Sequence, residues 1–312
     1  MTRNRREFLK TSKARRNPLL LLLLAACAPP AQREKKVLVI GIDGVRVDVL
    51  AEAVTPVMDS LIEVGAFTTS ARNVLPTVSG PNWSSMMTGV SPAKHGVYSN
   101  DFSGNAYAEF PDFLTRLERV DRGFATIAIV DWPPLGGPAA GGPLFGDSVD
   151  LRILVDGDEL DYEVADSFVT REAVRVLQIE DPHAMVVYLG DVDEVGHAHG
   201  SLSAEYRASI ETADAQVGAI LTALRARPTY NSEDWLLLMS TDHGRRDDGG
   251  HGGESELERT IFYLASGPSV TSIEPEAAVN LLDVAVTALA HLGVAIDPSW
   301  RLDGKVVAIH QQ

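Results

Sequence analysis

The 312-residue chain has only one cysteine, Cys27, so neither a disulfide framework nor a cysteine-built zinc site can form within it. Any bound metal must be held by carboxylate, imidazole or hydroxyl groups. A long apolar run is missing as well: Leu19 to Ala26 is too short to span a bilayer as a helix. Positive charge is scarce beyond the N-terminus. Residues 1–27 hold seven Lys/Arg and one acid, which leaves 20 basic against 42 acidic residues, or −22, in a chain whose formal net charge is −16. So acidic a body argues against a general nucleic-acid-binding role, which requires a basic surface. It says little about a small anionic substrate, because bound metal would dominate the local field.

What is present suffices for one large domain. Hydrophobic residues make up 45 % of the chain, enough for a substantial core. The N-terminus reads as a targeting segment, residues 1–27, outside the fold. Arg5-Arg6-Glu7-Phe8-Leu9-Lys10 looks like a twin-arginine export signal, and Leu24-Ala25-Ala26-Cys27 resembles a bacterial lipobox whose Cys27 is acylated. In such lipoproteins an Asp after the Cys commonly retains the protein at the inner membrane; Ala28 points to the outer one. The expectation is an exported, lipid-anchored protein, periplasmic or at the cell surface, with residues 28–36 as a polar tether and 37–312 as the domain.

Apolar runs at 37–42, 67–74, 124–131, 185–190, 235–240 and 261–265 are strand candidates. Amphipathic stretches at 48–64, 111–117, 166–178, 204–225 and 276–292 are helix candidates. Apolar strands separated by helices imply a three-layer α/β/α fold around a largely parallel sheet. Residues 133–157 open with a Gly/Pro-rich run and are expected to be mostly loop, with a role as a substrate-side lid.

In such sheets ligands bind beyond the carboxyl ends of the strands. Acids stand there: Asp43 after the first run, Asp191 and Asp193 after the fourth, and Asp242-His243 after the fifth. Alone, Asp43 could merely cap the next helix. Asp193 and His197 lie one turn apart, with Asp191 and His199 as rival ligands, and Gly196 admits a tight bend. His251 is flanked by four glycines, which suits close approach to an ion; His95, His183, His291 and His310 have no ligand-like partners. Three carboxylates, three imidazoles and one hydroxyl can hold two zinc-like ions with an open position between them. Thr77 and Ser79 compete as the hydroxyl; Ser79, just before Gly80-Pro81-Asn82, better fits the opening of a helix, where backbone N–H groups face a phosphate. Arg245 and Arg246, beside Asp247-Asp248, either reach the site or form a surface ion-pair loop.

These blocks, with Met87-Thr-Gly through His95-Gly to Ser99-Asn100, resemble the alkaline phosphatase superfamily, and within it the type I phosphodiesterase/nucleotide pyrophosphatase family. The resemblance covers residues 37–312 and implies an alkaline phosphatase-like fold. It implies Ser79 as the nucleophile, Asn100 as the phosphate-binding residue, and two zinc ions, with manganese as the alternative ion. One zinc would take Asp43, Ser79, Asp242 and His243, and the other Asp193, His197 and His251. The implied function is metal-dependent hydrolysis of a small phosphate ester, a phosphodiester before a phosphomonoester, through a covalent Ser79 intermediate. Two departures weaken the nucleotide label: Ser79 stands where nucleotide-acting members commonly have Thr, and only seven residues separate His243 from His251. The Gly249-Gly-His-Gly-Gly-Glu-Ser255 block is more similar to glycosylphosphatidylinositol ethanolamine-phosphate transferases. A sulfatase would need an Arg after Ser79-x-Pro-x, where Trp83 stands. A non-catalytic metal- or phosphate-binding lipoprotein is the remaining alternative.

Overall fold

Successive residues of the first strand, Val37 and Val39 against Leu38 and Ile40, are buried on opposite faces, so the sheet is covered on both sides. The structure, a computed structural model, describes residues 33–272 and 278–310. The expected export signal, Cys27 and the first part of the expected tether lie outside the described residues. Among the described residues seven strands form one sheet: β1 (Glu34–Ile42), β2 (Ala66–Arg72), β3 (Thr126–Val130), β4 (Leu151–Leu154), β5 (Ala184–Leu189), β6 (Glu233–Ser240) and β7 (Thr260–Ser266). Their order is β2-β7-β6-β1-β5-β3-β4, and only β7 runs against the rest.

The longer helices are α1 (Pro56–Val64), α2 (Ser79–Thr88), α3 (Phe113–Val120), α4 (Tyr162–Ile179), α5 (Asp191–His199), α6 (Ala204–Arg225) and α7 (Asp283–His291). On one face Trp83 and Met86 of α2, Leu114 and Leu117 of α3, and Val284 and Leu289 of α7 pack with Val37 and Val39. On the other, Met58 and Leu61 of α1, Val169 and Val176 of α4, and Ile210 and Val217 of α6 pack with Leu38 and Ile40. Each such aliphatic side chain stabilises the fold by about 2 kcal/mol relative to exposure. The fold is the expected three-layer α/β/α arrangement, and all six strand candidates are strands.

Several boundaries differ. β1 begins at Glu34, inside the expected tether, because Lys36 is fully buried with its ammonium 2.8 Å from Asp181. The 48–64 helix is broken: a turn at Val47–Leu50 precedes α1, which restarts at Pro56, a residue that favours a first helical position. α4 starts earlier, at Tyr162, where the Asp161 side chain caps the N–H of Glu163. α7 is described from Asp283; part of its expected N-terminal stretch lies outside the described residues. The 133–157 segment is about half loop; its remaining residues form helical turns at Pro133–Gly136 and Ala139–Gly141 and the edge strand β4, which pairs with β3.

Candidate metal centre and active site

The carboxyl ends of β1, β5 and β6 converge, and each delivers part of one cluster. Asp43 follows β1 and caps no helix. Its Oδ2 accepts hydrogen bonds from Trp83 Nε1 (2.8 Å) and the Tyr188 hydroxyl (2.6 Å), which aims Oδ1 at the cluster. After β6, Asp242 Oδ1 accepts from the Gly44 N–H (3.2 Å). Next to it, His243 Nδ1 donates to the Gly244 carbonyl (3.0 Å) and leaves Nε2 as the free ring nitrogen. That Nε2 lies 3.4 Å from Asp43 Oδ1, 3.4 Å from Asp242 Oδ2 and 3.2 Å from Ser79 Oγ.

β5 leads into α5, a helix that the sequence reading did not single out. Its first turn carries Asp191, Asp193 and Glu194, which complement the positive end of the helix, and its last turn carries His197 and His199. Asp193 and His197, four apart, share a face with Oδ2 and Nε2 at 3.3 Å. His251 comes from the glycine loop: its Nδ1 donates to the Thr77 carbonyl (2.8 Å), so Nε2 points to His197 Nε2 at 3.0 Å. The two groups, Asp43-Asp242-His243 and Asp193-His197-His251, each have the spacing to hold a metal ion. They adjoin, with the His243 and His251 rings stacked at 3.7 Å between centroids.

Donor chemistry fits metal. Asp43 Oδ1 and Asp242 Oδ2 are buried and accept no hydrogen bond, an arrangement that costs free energy unless cations complete it. Burial and the Asp193 charge push the Asp43 carboxyl up to about 7, and burial with Asp43 beside it pushes Asp242 up as well. Burial holds His243 and His251 below the ordinary imidazole range. Asp193 is depressed: burial works against this, but His197 and the Arg245 charge outweigh it. Neutral imidazoles and carboxylates are the forms that bind metal, so ion binding would release protons here.

Ser79 is the first residue of α2, with Val78 as the cap. The Gly80 N–H is used by Asn100 Oδ1 (2.8 Å) and Pro81 has none, which leaves the N–H of Ser79 itself at the helix opening. Thr77 is used otherwise: fully buried, its hydroxyl donates to the Gly253 carbonyl and accepts from the Gly252 N–H, both at 2.9 Å. Ser79, Asn100, Asp43, Asp193, His197 and His251 line one cavity of about 120 Å³. Asp191 and His199, the rivals, line a separate groove.

Sequence reasoning missed Trp83 and Tyr188 as supports of Asp43, and it left the arginine pair open; the two alternatives fall to one residue each. Arg246 does lie in an ion-pair loop, with Glu258 (2.9 Å) and Asp248 (3.3 Å). Arg245 is fully buried, donates to the carbonyls of Asp193 (2.6 Å) and Gly249 (2.8 Å), and faces Asp193 Oδ1 at 2.9 Å. Gly196 does not bend the chain. It sits inside α5, where any Cβ would collide with the Arg245 guanidinium. Gly249 has φ +85°, and a Cβ there would strike the Gly196 carbonyl. These two glycines let α5 and the His251 loop close on the arginine.

Comparisons with known proteins bear on the family and the fold. The family described as type I phosphodiesterase/nucleotide pyrophosphatase matches residues 37–276. Human ectonucleotide pyrophosphatase/phosphodiesterase family member 1 is 26 % identical over 66 % of this chain and 23 % of its own length. The GPI ethanolamine phosphate transferase 2 of Aspergillus fumigatus is 27 % identical over 77 % of the chain and 31 % of its own length. The chain thus spans under half the length of the curated relatives it matches first. Among solved structures, murine ectonucleotide pyrophosphatase/phosphodiesterase 5 in complex with AMP superposes with a TM-score of 0.65 at 16 % identity, over 85 % of this chain and 96 % of that one. A 2-O GAG sulfatase reaches 0.69 at 14 % identity, over 88 % and 73 %. At these identities the structures attest the fold alone.

Proposed function

The chain belongs to the type I phosphodiesterase/nucleotide pyrophosphatase family, and from that membership we propose that it hydrolyses phosphoric diesters at the cavity beside Ser79. The observation that carries the reading is the meeting of Ser79 with two adjoining three-ligand groups, in one of which Asp43 Oδ1 and Asp242 Oδ2 are buried without a hydrogen bond. In this reading Asp43, Ser79, Asp242 and His243 hold one zinc, and Asp193, His197 and His251 hold the other, with manganese as the alternative. Such ions, when bound, act as Lewis acids that lower the pKa of a ligated hydroxyl and neutralise phosphoryl charge.

The chain's own groups supply the rest. Ser79 Oγ bonds to phosphorus as the bond to the leaving alcohol breaks, and water then cleaves the Ser79 phosphoester and restores the hydroxyl. The Ser79 N–H faces the phosphoryl oxygens at the helix opening. Asn100, its Oδ1 held by Gly80, directs its Nδ2 donors to the same oxygens. Trp83 and Tyr188 keep Asp43 in one orientation. A diester is favoured over a monoester because no Lys or Arg lines the cavity among the described residues, and a monoester dianion brings extra charge. Twin-arginine export and acylation of Cys27, with an outer-membrane location, belong to the same proposal. No helix among the described residues is long and apolar enough to cross a membrane.

The test compares bis-p-nitrophenyl phosphate with p-nitrophenyl phosphate, with zinc and with chelator. The diester should turn over faster, lose activity in chelator and regain it with zinc. A faster monoester would make the protein a phosphatase, and turnover of neither would leave a binding protein.

A further inference from the structure

We propose that Asp131 and Asp166 share a single proton, and that this acid pair positions α5, the helix that carries Asp193 and His197. The shared proton stands on its own observations; its consequence for α5 rests on the metal-centre reading above. Asp131 follows β3 at the carboxyl edge of the sheet and is fully buried. Neither of its carboxyl oxygens accepts a hydrogen bond from an N–H or hydroxyl group. What faces it is a second carboxyl, that of Asp166 in α4, also buried and within hydrogen-bonding reach. Among the described residues no Lys, Arg or His forms an ion pair with either one.

Two ionised carboxylates side by side in a buried site are costly without a cation, because repulsion adds to the loss of hydration. One proton removes both costs, since a neutral carboxyl can donate to its ionised neighbour. The surroundings decide which residue keeps the charge. Asp166 Oδ1 accepts from the Gly190 N–H (2.9 Å), and α5 departs from Gly190, so an anion at Asp166 complements the positive end of that helix. Asp131 lacks such a donor and keeps the proton. The other titratable groups turned toward the pair, Asp43, Tyr162, Tyr188 and Asp191, bring no positive charge. Burial and the Asp166 charge accordingly hold the Asp131 carboxyl well above the usual carboxylate range. The pair also fixes the start of α5 by contact. A Cβ at Gly190 would lie 3.0 Å from Asp131 Oδ1 and 2.6 Å from the Tyr162 ring. Gly190 is therefore held by Asp166, Asp131 and Tyr162 together, three residues before Asp193.

The experiment compares the purified full-length protein with Asp131→Asn, which keeps a donor toward Asp166 but has no proton to lose. Infrared difference spectra of the zinc-loaded proteins near neutral pH should show one carboxylic acid C=O stretch that Asp131→Asn lacks. The folded-state carboxyl lies above the ordinary value of 3.8, so above that pH the native chain binds one more proton than the unfolded chain, and stability falls as pH rises. Between about pH 5 and 7 the unfolding constant of the wild type, read from urea curves, should rise about 10-fold per pH unit relative to that of Asp131→Asn. Zinc analysis tests the positioning role. Asp131→Ala should lose about one of two ions per chain, whereas Asp131→Asn should keep both. Asp131→Leu, which fills the volume without a donor, repeats this test free of the alanine cavity. Absence of the infrared band, or parallel pH slopes, would overturn the shared proton. A third ion per chain that is lost in Asp131→Asn would make the pair a cation site and overturn it equally. Unchanged zinc in the alanine and leucine variants would overturn the positioning role alone. A wild type that binds no zinc would overturn the metal-centre reading and the positioning role with it.

Discussion

Arg245→Met probes the buried guanidinium that joins α5 to the His251 loop. Methionine keeps much of the apolar volume but removes the charge and every donor. The Asp193 and Gly249 carbonyls lose the N–H groups now at 2.6 and 2.8 Å, and Asp193 Oδ1 loses a cation at 2.9 Å. Orphaning each carbonyl costs about 1 kcal/mol or more, and removing one partner of a buried ion pair costs about 3–5 kcal/mol in all. At roughly 2–4 °C per kcal/mol for a domain of this size, Tm should fall by roughly 10 °C or slightly more in chelator. With zinc the fall should be about half as large, because an ion at Asp193 replaces part of the lost charge. Differential scanning calorimetry of both forms, with and without zinc, measures this. A fall under about 2 °C in chelator would refute the anchoring role. An equal fall in both conditions would refute Asp193 as a ligand.

The proposed catalytic centre yields further expectations. His251→Ala should remove about one of two zinc ions per chain while the protein stays soluble; unchanged metal analysis would take His251 out of the centre. Ser79→Ala should lower turnover by orders of magnitude, whereas Thr77→Ala should chiefly loosen the loop that it ties at Gly252 and Gly253. Acid quench with a labelled diester and peptide mapping should find the label on Ser79, and label on Thr77 would reverse the assignment. Burial holds His95 down to about 4 from 6.5, so between these values the unfolded chain binds more protons; its contribution is complete above pH 6.5 and is lost as pH falls toward 4. His95→Gln should therefore flatten the acid limb of stability, read from urea midpoints at several pH values; an unchanged limb would contradict it. Cys27→Ser should abolish lipid labelling of the exported protein, and labelling that persists would remove the lipobox.

Strands and acids were legible because their signal is local. An apolar run closed within a few residues by an Asp announces both a buried parallel strand and what stands at its end, as Val37–Asp43 and Leu236–Asp242 do. β4 escaped because four residues after a Gly/Pro-rich run carry no period to read, and its place is set by β3. α5 escaped because Gly196 and two histidines read as a bend; the helix is held by packing on Arg245, a contact 49 positions away in sequence. Arg245 and Arg246 have the same neighbours in sequence, and only the third dimension sends one inward to Asp193 and the other outward to Glu258.

Asp191 and Asp193 show the same limit most clearly. As two acids beyond one strand they are rivals for one ion. On a helix they stand roughly 200° apart, so Asp193 turns toward His197 and the ligand cluster, while Asp191 turns toward Tyr162 and the acidic groove. Once the segment is known to be helical, the two acids no longer compete: the same turn that places one in the ligand cluster places the other on the groove wall. Substituting them separately should therefore give different outcomes: Asp193→Asn should lower the zinc content, and Asp191→Asn should leave it unchanged, and equal metal loss from both by elemental analysis would refute the division.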